Sequence, residues 1–286
     1  MPATYDELLG ATIHYLEALK SRGACHVAVS PETLRSLSQP PPKGVVRSQA
    51  QSSMSAFLPT APSPLPSPPM GARGCSIPDP QKSAAFAALR ERVMPCIKCA
   101  HLASSRKNVV FGVGNPDAQL MFVGEAPGAD EDIQGEPFVG RAGELLTKII
   151  QAMGLQRSDV YIANILKCRP DTPGQSSGNR KPTPDEMAMC ISYLHEQIDL
   201  IQPRVLVALG ATAVEGLLGK TLGIMKMRGN WQTYRGTPLM PTFHPAYLLR
   251  NQAMSEKRKV WEDMLSVMEK LEMSISEKQR NYFTKG

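Results

Sequence analysis

Residues 124–143 read GEAPGADEDIQGEPFVGRAG and mark the point where an apolar run gives way to a glycine-rich turn. The run LMFV, residues 120–123, is typical of a parallel strand that is covered on both faces. The turn presents four closely spaced carboxylates, at Glu125, Asp130, Glu131 and Asp132. Such carboxylates repel one another, and open α/β sheets bind ligands at the carboxyl ends of their strands. These acids and the single aromatic Phe138 therefore predict a functional site.

The rest of the chain alternates between strand and helix patterns. Further apolar runs predict strands at 109–112, 160–165, 205–209 and 239–243, with a hairpin around 229–236. Amphipathic or well-capped segments predict helices at 82–93, 143–153, 184–201, 211–218 and 256–272. Strands that alternate with helices predict an α/β fold, in which a parallel sheet carries helices on both faces.

The composition is that of a globular protein of 286 residues with a net charge of +6 and six cysteines. The charge permits a polyanionic partner, but it serves solubility equally well. No run of about 18 apolar residues occurs, so we expect no membrane span, and the start lacks a secretory pattern. Cysteines without such a signal indicate a reducing, cytoplasmic location, where they are thiols or metal ligands.

Composition also divides the chain into segments. Residues 1–37 predict a small helical extension. Residues 38–80 are rich in proline and serine and predict a disordered linker, because they hold too little apolar mass to order. Residues 81–274 form the predicted globular domain, and a tail follows at 275–286.

One octapeptide of the linker stands out. Residues Gln51–Leu58 have a spacing similar to that of peptides that dock on replication sliding clamps, which suggests a weak contact with such a clamp. The alternative is an incidental apolar patch, because Leu58 stands where those peptides carry a second aromatic residue.

Four cysteines fall in the predicted globular domain as one close pair and two scattered residues: Cys96, Cys99, Cys168 and Cys190. Structural zinc usually draws two close pairs of ligands. One close pair plus two scattered cysteines is also a [4Fe–4S] arrangement. Small buried thiols are a third interpretation. The pattern favours a metal site, and iron–sulfur over zinc, without excluding zinc.

Two further polar side chains stand at predicted strand ends. His244 follows the last core strand and precedes a proline, which keeps its backbone out of the helical region and aims the ring at the crevice. Asn164 ends an earlier strand. Its amide is a donor–acceptor pair that suits the Watson–Crick edge of a pyrimidine, although a strand-end Asn is more often a turn former.

Four motifs follow one another between residues 84 and 271, together with the four cysteines. In chain order they are GEAPG-x-x-ED, GEPFVGRAG, NILKCRP and HPAYLLR. In this combination they resemble the family 4, iron–sulfur uracil-DNA glycosylases. The resemblance implies a three-layer α/β/α sandwich around a four-stranded parallel sheet, with a [4Fe–4S] cluster on the four cysteines. It implies a monofunctional enzyme of base excision repair that flips deoxyuridine out of DNA and leaves an abasic site. We expect a monomer.

The resemblance also implies roles in recognition of the base. Phe138 stacks on the uracil ring, and Asn164 hydrogen-bonds to its edge. Glu131 lies near C5 and C6, where it helps to reject the methyl group of thymine. His244 donates to O2 of the departing uracil, a contact worth about 3 kcal/mol in comparable oxyanion sites.

The same resemblance assigns contacts with water and with DNA to other residues. Glu125 and the backbone of Ala126 and Gly128 line the uracil and water side. Ala126 stands where better-known uracil glycosylases place an aspartate, so Glu125 is the favoured general base, with Glu131 second. The expected DNA contacts are two wedge residues and one phosphate ligand: Leu248, Leu249 and Arg250. Packing at a helix start is the alternative for the two leucines.

Two other functions are compatible with these residues. One is a non-catalytic DNA-binding module stabilised by zinc or an iron–sulfur cluster. The other is a glycosylase for a different deaminated base, because the width of the pocket decides which base fits.

Overall fold

The structure of the protein, a computed structural model, describes residues 79–171, 179–219 and 222–284. The predicted helical extension, nearly all of the predicted linker and the octapeptide Gln51–Leu58 lie outside the described residues and stay predictions. Within the described ranges, no helix is long and apolar enough to cross a membrane.

Strands and helices alternate along the described chain. The strands are β1 (Val113–Gly114), β2 (Leu120–Gly124), β3 (Tyr161–Asn164), β4 (Val205–Leu209), β5 (Gln232–Tyr234) and β6 (Thr237–Thr242). The helices are α1 (Pro80–Val93), α2 (Ala100–Ser105), α3 (Ala129–Gln134), α4 (Arg141–Ala152), α5 (Pro184–Ile201), α6 (Ala211–Leu218), α7 (Ile224–Met227), α8 (Pro245–Arg250), α9 (Met254–Lys270) and α10 (Glu277–Arg280). A short 3-10 helix spans Arg157–Asp159.

The strands form one sheet in the order β1-β3-β2-β4-β6-β5. The central four, β3, β2, β4 and β6, are parallel, as the sequence predicts. Their register pairs Gly124 with Asn164, and Leu209 with Thr242, so their carboxyl ends lie at one edge. That edge is where an open α/β sheet binds ligands.

The sheet has six strands and not four, because β1 and β5 add antiparallel edges. These edge strands have two and three residues, too few to give an apolar period. The predicted strand at 109–112 is irregular chain. A Cβ on Gly114 would lie 1.9 Å from the carbonyl oxygen of Val160, so the β1 edge depends on that glycine.

Alternate residues of the central strands face opposite helical layers, which gives the predicted three-layer arrangement. On β4, Leu206 and Ala208 belong to the core under α1, α5 and α6. Val205, Val207 and Leu209 belong to the core under α4 and α9. Each fully buried aliphatic side chain contributes about 1.5–3 kcal/mol. Buried cores therefore stabilise both faces of the sheet that carries the carboxyl edge.

Two short helices occupy turns at this edge. In α3 the acidic run Asp130, Glu131 and Asp132 fills the first turn, where carboxylates interact favourably with the helix dipole. In α8 the imidazole of His244 caps the helix start, and Pro245 takes the first position. The closely spaced acids thus have a structural role that repulsion alone did not suggest.

Candidate active site

Phe138 and His244 meet at the carboxyl edge of the sheet. Their rings stack with centroids 5.5 Å apart and planes 30° apart, although the residues come from different loops. Gly210, which follows β4, lies under the imidazole. Its φ is +92°, and an added Cβ would be 3.0 Å from Cβ of His244. The two turns that the sequence analysis assigned to one crevice do converge.

Asn164 and Gly124 form the floor beneath these rings. A Cβ on Gly124 would lie 2.3 Å from Oδ1 of Asn164 and 2.6 Å from Cζ of Phe138. Asn164 is 2% exposed, and its Oδ1 is the one buried side-chain oxygen or nitrogen in the described chain without a hydrogen-bond partner. An unsatisfied buried acceptor costs about 1–3 kcal/mol. Such an oxygen is explained by a donor that arrives with a ligand.

The backbone holds Phe138 in an unusual conformation. Its φ is +54°, in the left-handed region that side-chain-bearing residues rarely adopt. The guanidinium of Arg157 donates to the carbonyl of Pro137, and a Cβ on Gly143 would lie 1.8 Å from the carbonyl oxygen of Phe138. Backbone in such regions costs about 1–3 kcal/mol and recurs at functional sites. Arg157 has no local signal in the sequence, because it lies 20 residues from Pro137.

The hydrogen bonds of His244 settle its tautomer. Its Nδ1 accepts from the backbone N–H of Ala246 at 3.1 Å, so the neutral ring carries its proton on Nε2. Burial, with a smaller contribution from the cation of Arg250, lowers the pKa of His244 to about 4. At neutral pH the ring is therefore an uncharged hydrogen-bond donor at Nε2.

Glu125 directly follows β2 and is half-buried. Burial raises the pKa of its carboxyl group, while a hydrogen bond with the hydroxyl of Thr212 and the charge of Lys181 oppose that rise. Thr212 lies in the first turn of α6 and is 8% exposed. No sequence pattern around Thr212 predicts its contact with Glu125. Ala126 and Gly128 continue the same loop.

Glu131 lies between two loops, and backbone groups surround its carboxylate. One oxygen accepts from N–H of Gly128 at 3.0 Å. The other accepts from Val139 at 3.1 Å and Gly140 at 3.3 Å. Glu131 thereby ties the turn after β2 to the loop that carries Phe138. The nearby Asp132 is buried and accepts from the backbone N–H of Lys107 at 2.9 Å, which is a structural contact.

The three expected DNA contacts differ in exposure. Leu248 is 5% exposed and packs with Phe243 and Val260, so its side chain faces the protein interior. Leu249 is half-buried, and Arg250 is exposed at the end of α8. Leu248 and Leu249 also line an apolar cavity of about 250 Å³ that reaches Trp261. That cavity lies against the core of α9, and no residue of the Phe138–His244 pair lines it.

The four predicted metal ligands line one small cavity: Cys96, Cys99, Cys168 and Cys190. All four are free thiols. The guanidinium of Arg106 donates to Sγ of Cys168 at 3.1 Å, and the backbone N–H of Lys167 donates to Sγ of Cys190 at 3.3 Å. Sulfurs that receive such donors are suited to the thiolate form.

Burial shifts the pKa values of three of these thiols. It raises those of Cys99 and Cys168, and it raises that of Cys190 to about 11, so these three unliganded groups are neutral at pH 7. A bound metal would supply the charge that keeps them deprotonated. Within the described ranges, no three cysteine, histidine or acidic side chains are grouped as ligands of one metal ion. Four cysteine sulfurs around a shared cavity fit a thiolate-bound metal centre, either zinc or an iron–sulfur cluster.

A family model described as the uracil DNA glycosylase superfamily matches residues 111–265. The chain belongs to this superfamily. The matched range contains Glu125, Phe138, Asn164 and His244, and the cysteine pair at 96 and 99 precedes it.

The curated relatives that this chain matches include type-4 and type-5 uracil-DNA glycosylases. A type-4 uracil-DNA glycosylase of Thermotoga maritima is 49% identical over 178 residues, which are 61% of this chain and 88% of the relative. One of Sulfurisphaera tokodaii is 39% identical over 208 residues, 69% of this chain and 90% of the relative. A type-5 uracil-DNA glycosylase of Pyrobaculum aerophilum is 30% identical over 190 residues, which are 55% of this chain and 80% of the relative. The family indicated by the sequence motifs is confirmed.

Proposed function

We propose that this chain is a monofunctional uracil-DNA glycosylase of base excision repair. It binds a uracil flipped out of DNA, hydrolyses the bond between C1′ and N1, and leaves an abasic site without cutting the strand. The observation that carries the proposal is the unpartnered Oδ1 of Asn164 beneath Phe138 and His244. Family membership supports it, because the relatives above are named for that activity.

Recognition follows from the hydrogen-bonding pattern of the base. Uracil presents a donor at N3–H and an acceptor at O4, which match Oδ1 and Nδ2 of one asparagine amide. Cytosine presents an acceptor and a donor at these positions, so it would leave Oδ1 of Asn164 unsatisfied. Discrimination of this kind is strong, since the mismatch strands a buried polar group.

Phe138 supplies the stacking surface for the base. Neighbouring aromatic rings prefer centroids about 4.5–7 Å apart, and Phe138 and His244 are already within that range of each other. A third ring therefore does not fit between them. The base stacks on Phe138 beside His244, so that Nε2–H meets an edge atom of the base.

The bond cleavage is assisted from the base side. As the C1′–N1 bond breaks, its electron pair moves to the uracil ring and develops charge at O2. Nε2–H of His244 donates to that oxygen and stabilises the anion, while the ring itself stays neutral. The sugar becomes an oxocarbenium-like cation.

Glu125 acts on the sugar side of the same bond. A water molecule attacks C1′, and its proton passes to the carboxylate of Glu125, which also stabilises the cationic sugar. Its raised pKa makes this carboxylate a better proton acceptor than an exposed glutamate. Thr212 orients it through the shared hydrogen bond.

The cysteine cavity would hold a [4Fe–4S] cluster through the four thiolates of Cys96, Cys99, Cys168 and Cys190. When bound, the cluster crosslinks distant parts of the chain through iron–thiolate bonds. Arg106 and the backbone of Lys167 donate to two of these sulfurs. The uracil and sugar chemistry is assigned to other residues.

An excision assay with matched histidine variants tests the proposal. A labelled oligonucleotide with one uracil is incubated with the protein and nicked with alkali, beside a control that carries thymine. We expect His244→Gln to slow excision by about 10²-fold. His195→Gln is the matched control, because His195 is also half-buried but its ring bonds to the hydroxyl of Tyr234, which is not a residue of the candidate site.

Each other outcome has a distinct meaning. Binding of uracil DNA without excision by the wild-type protein would favour the non-catalytic module. Excision of hypoxanthine in preference to uracil would favour the other deaminated base. Equal rates for both histidine variants would remove His244 from the mechanism.

A further inference from the structure

Lys167 is a fully buried lysine between the candidate uracil site and the cysteine cavity. It is 1% exposed, which is rare for lysine without a charged partner. Its ammonium group donates to the backbone carbonyl of Asn164 at 2.9 Å and to Oε1 of Gln197 at 2.6 Å. Both hydrogen-bond acceptors are neutral.

The backbone of Lys167 is equally constrained. Its N–H donates to Sγ of Cys190 at 3.3 Å, and its carbonyl accepts from N–H of Val110 at 2.8 Å. Gln197, on α5, is 0% exposed and donates from Nε2 to the carbonyl of Phe111 at 2.9 Å and to the hydroxyl of Tyr161 at 3.0 Å. The ammonium group is therefore fixed from several directions.

The contact with Asn164 lies where the regular sheet ends. Ile165 and Leu166 still bond to the carbonyls of Gly124 and Glu125, at 3.0 and 3.1 Å. The carbonyl of Asn164 points to the ammonium instead. Because the Cα–Cβ direction of a residue follows its peptide planes, a fixed carbonyl fixes the bond from which the Asn164 amide projects.

We propose that Lys167 is a positioning residue for recognition of uracil, which it performs by holding the backbone of Asn164 so that Oδ1 stays aimed at the base. This inference rests on the proposed function. It explains why a buried cation is placed three residues beyond Asn164 without an acidic partner. Lys167 also connects Sγ of Cys190, through its backbone N–H, with the backbone carbonyl of Asn164, through its ammonium group.

The test separates base reading from DNA binding in the full-length protein. Inhibition by free uracil measures contact with the base, and affinity for a duplex with a tetrahydrofuran abasic analogue measures DNA binding without a base. For Lys167→Met we expect uracil inhibition to weaken by about tenfold. Affinity for the abasic duplex should change by less than about twofold, and the visible absorbance of the protein should stay the same.

Further variants keep the proposal testable if Lys167→Met does not fold. Gln197→Met removes one acceptor of the ammonium and should weaken uracil inhibition, whereas Gln197→Glu keeps an oxygen there and should restore it. Tyr161→Phe is the matched control, because its hydroxyl bonds to Gln197 but not to Lys167. It should leave uracil inhibition unchanged.

A double-mutant cycle gives the deciding result. Asn164→Ala and Lys167→Met together should weaken uracil inhibition no more than Asn164→Ala alone, since Lys167 acts through Asn164. Additive losses, or equal losses on uracil and on the abasic duplex, would overturn this inference while wild-type excision upholds the proposed function. A wild-type protein that is neither active on uracil DNA nor inhibited by uracil would overturn both.

Discussion

At the residue scale, the proposed recognition of the base depends on one atom, Oδ1 of Asn164. Its buried Oδ1 has no hydrogen-bond partner in the described chain, and the missing side chain of Gly124 lets Oδ1 and the ring of Phe138 approach the same point. A buried acceptor without a donor costs about 1–3 kcal/mol, and N3–H of a bound uracil is a donor that removes this cost. The amide is thereby set for N3–H of uracil before the base arrives, which reduces the cost of ordering on binding.

The titration of His244 gives a prediction at the same scale. Its pKa is 6.5 in the unfolded reference and about 4 in the folded protein, so the folded state binds fewer protons between these values. The contribution to stability is fully present above pH 6.5 and is lost as the pH falls towards 4. Between pH 6.5 and 4, the unfolding free energy of His244→Gln should therefore fall by about 3 kcal/mol less than that of the wild-type protein. Urea titrations of both proteins measure it, and parallel profiles would contradict the assigned pKa.

The elements show which features a sequence pattern can predict. The bounds of α5, β4 and α6 agree with the prediction, because a threonine cap with proline, a continuous apolar strand and a helical period mark them locally. Helix α3 was missed, since its acids were interpreted as a loop. Arg157, Thr212 and Lys167 have no local signal, because their partners come from loops and strands elsewhere in the chain.

Glu131 gives a prediction for the element that it supports. Its three backbone bonds join α3 to the Phe138 loop, so Glu131→Ala should weaken uracil inhibition by about tenfold and lower the melting temperature by a few degrees. Glu131→Gln keeps only one acceptor oxygen and sets its amide nitrogen against a backbone N–H, so it should recover only part of the lost uracil inhibition. Glu136→Ala, an exposed acid nearby, is the control. Unchanged uracil inhibition in Glu131→Ala would show that these backbone bonds do not position the Phe138 loop.

In the whole molecule, the cysteine cavity joins parts of the chain that the sheet alone does not connect. Cys96 and Cys99 lie between α1 and α2, Cys168 follows β3, and Cys190 lies in α5. The spacing of the cysteines predicted that they belong together, and the structure places them around one cavity. Strand β5 lies in the hairpin predicted around 229–236, whereas β1 was beyond prediction, because two residues acquire strand geometry only when a neighbour is already in place.

Loss of one cysteine ligand should therefore act on the whole fold. In Cys190→Ser we expect the absorbance near ~400 nm and the iron content of about four per chain to fall, since the cluster loses a thiolate. The melting temperature should drop by about 10 °C, because a metal crosslink between distant segments contributes to folding. Cys75→Ser, outside the predicted globular domain, is the matched control and should keep both. Colourless wild-type protein with one zinc per chain would contradict the cluster and restore the zinc alternative, while unchanged melting in Cys190→Ser would show that the cavity does not crosslink the fold.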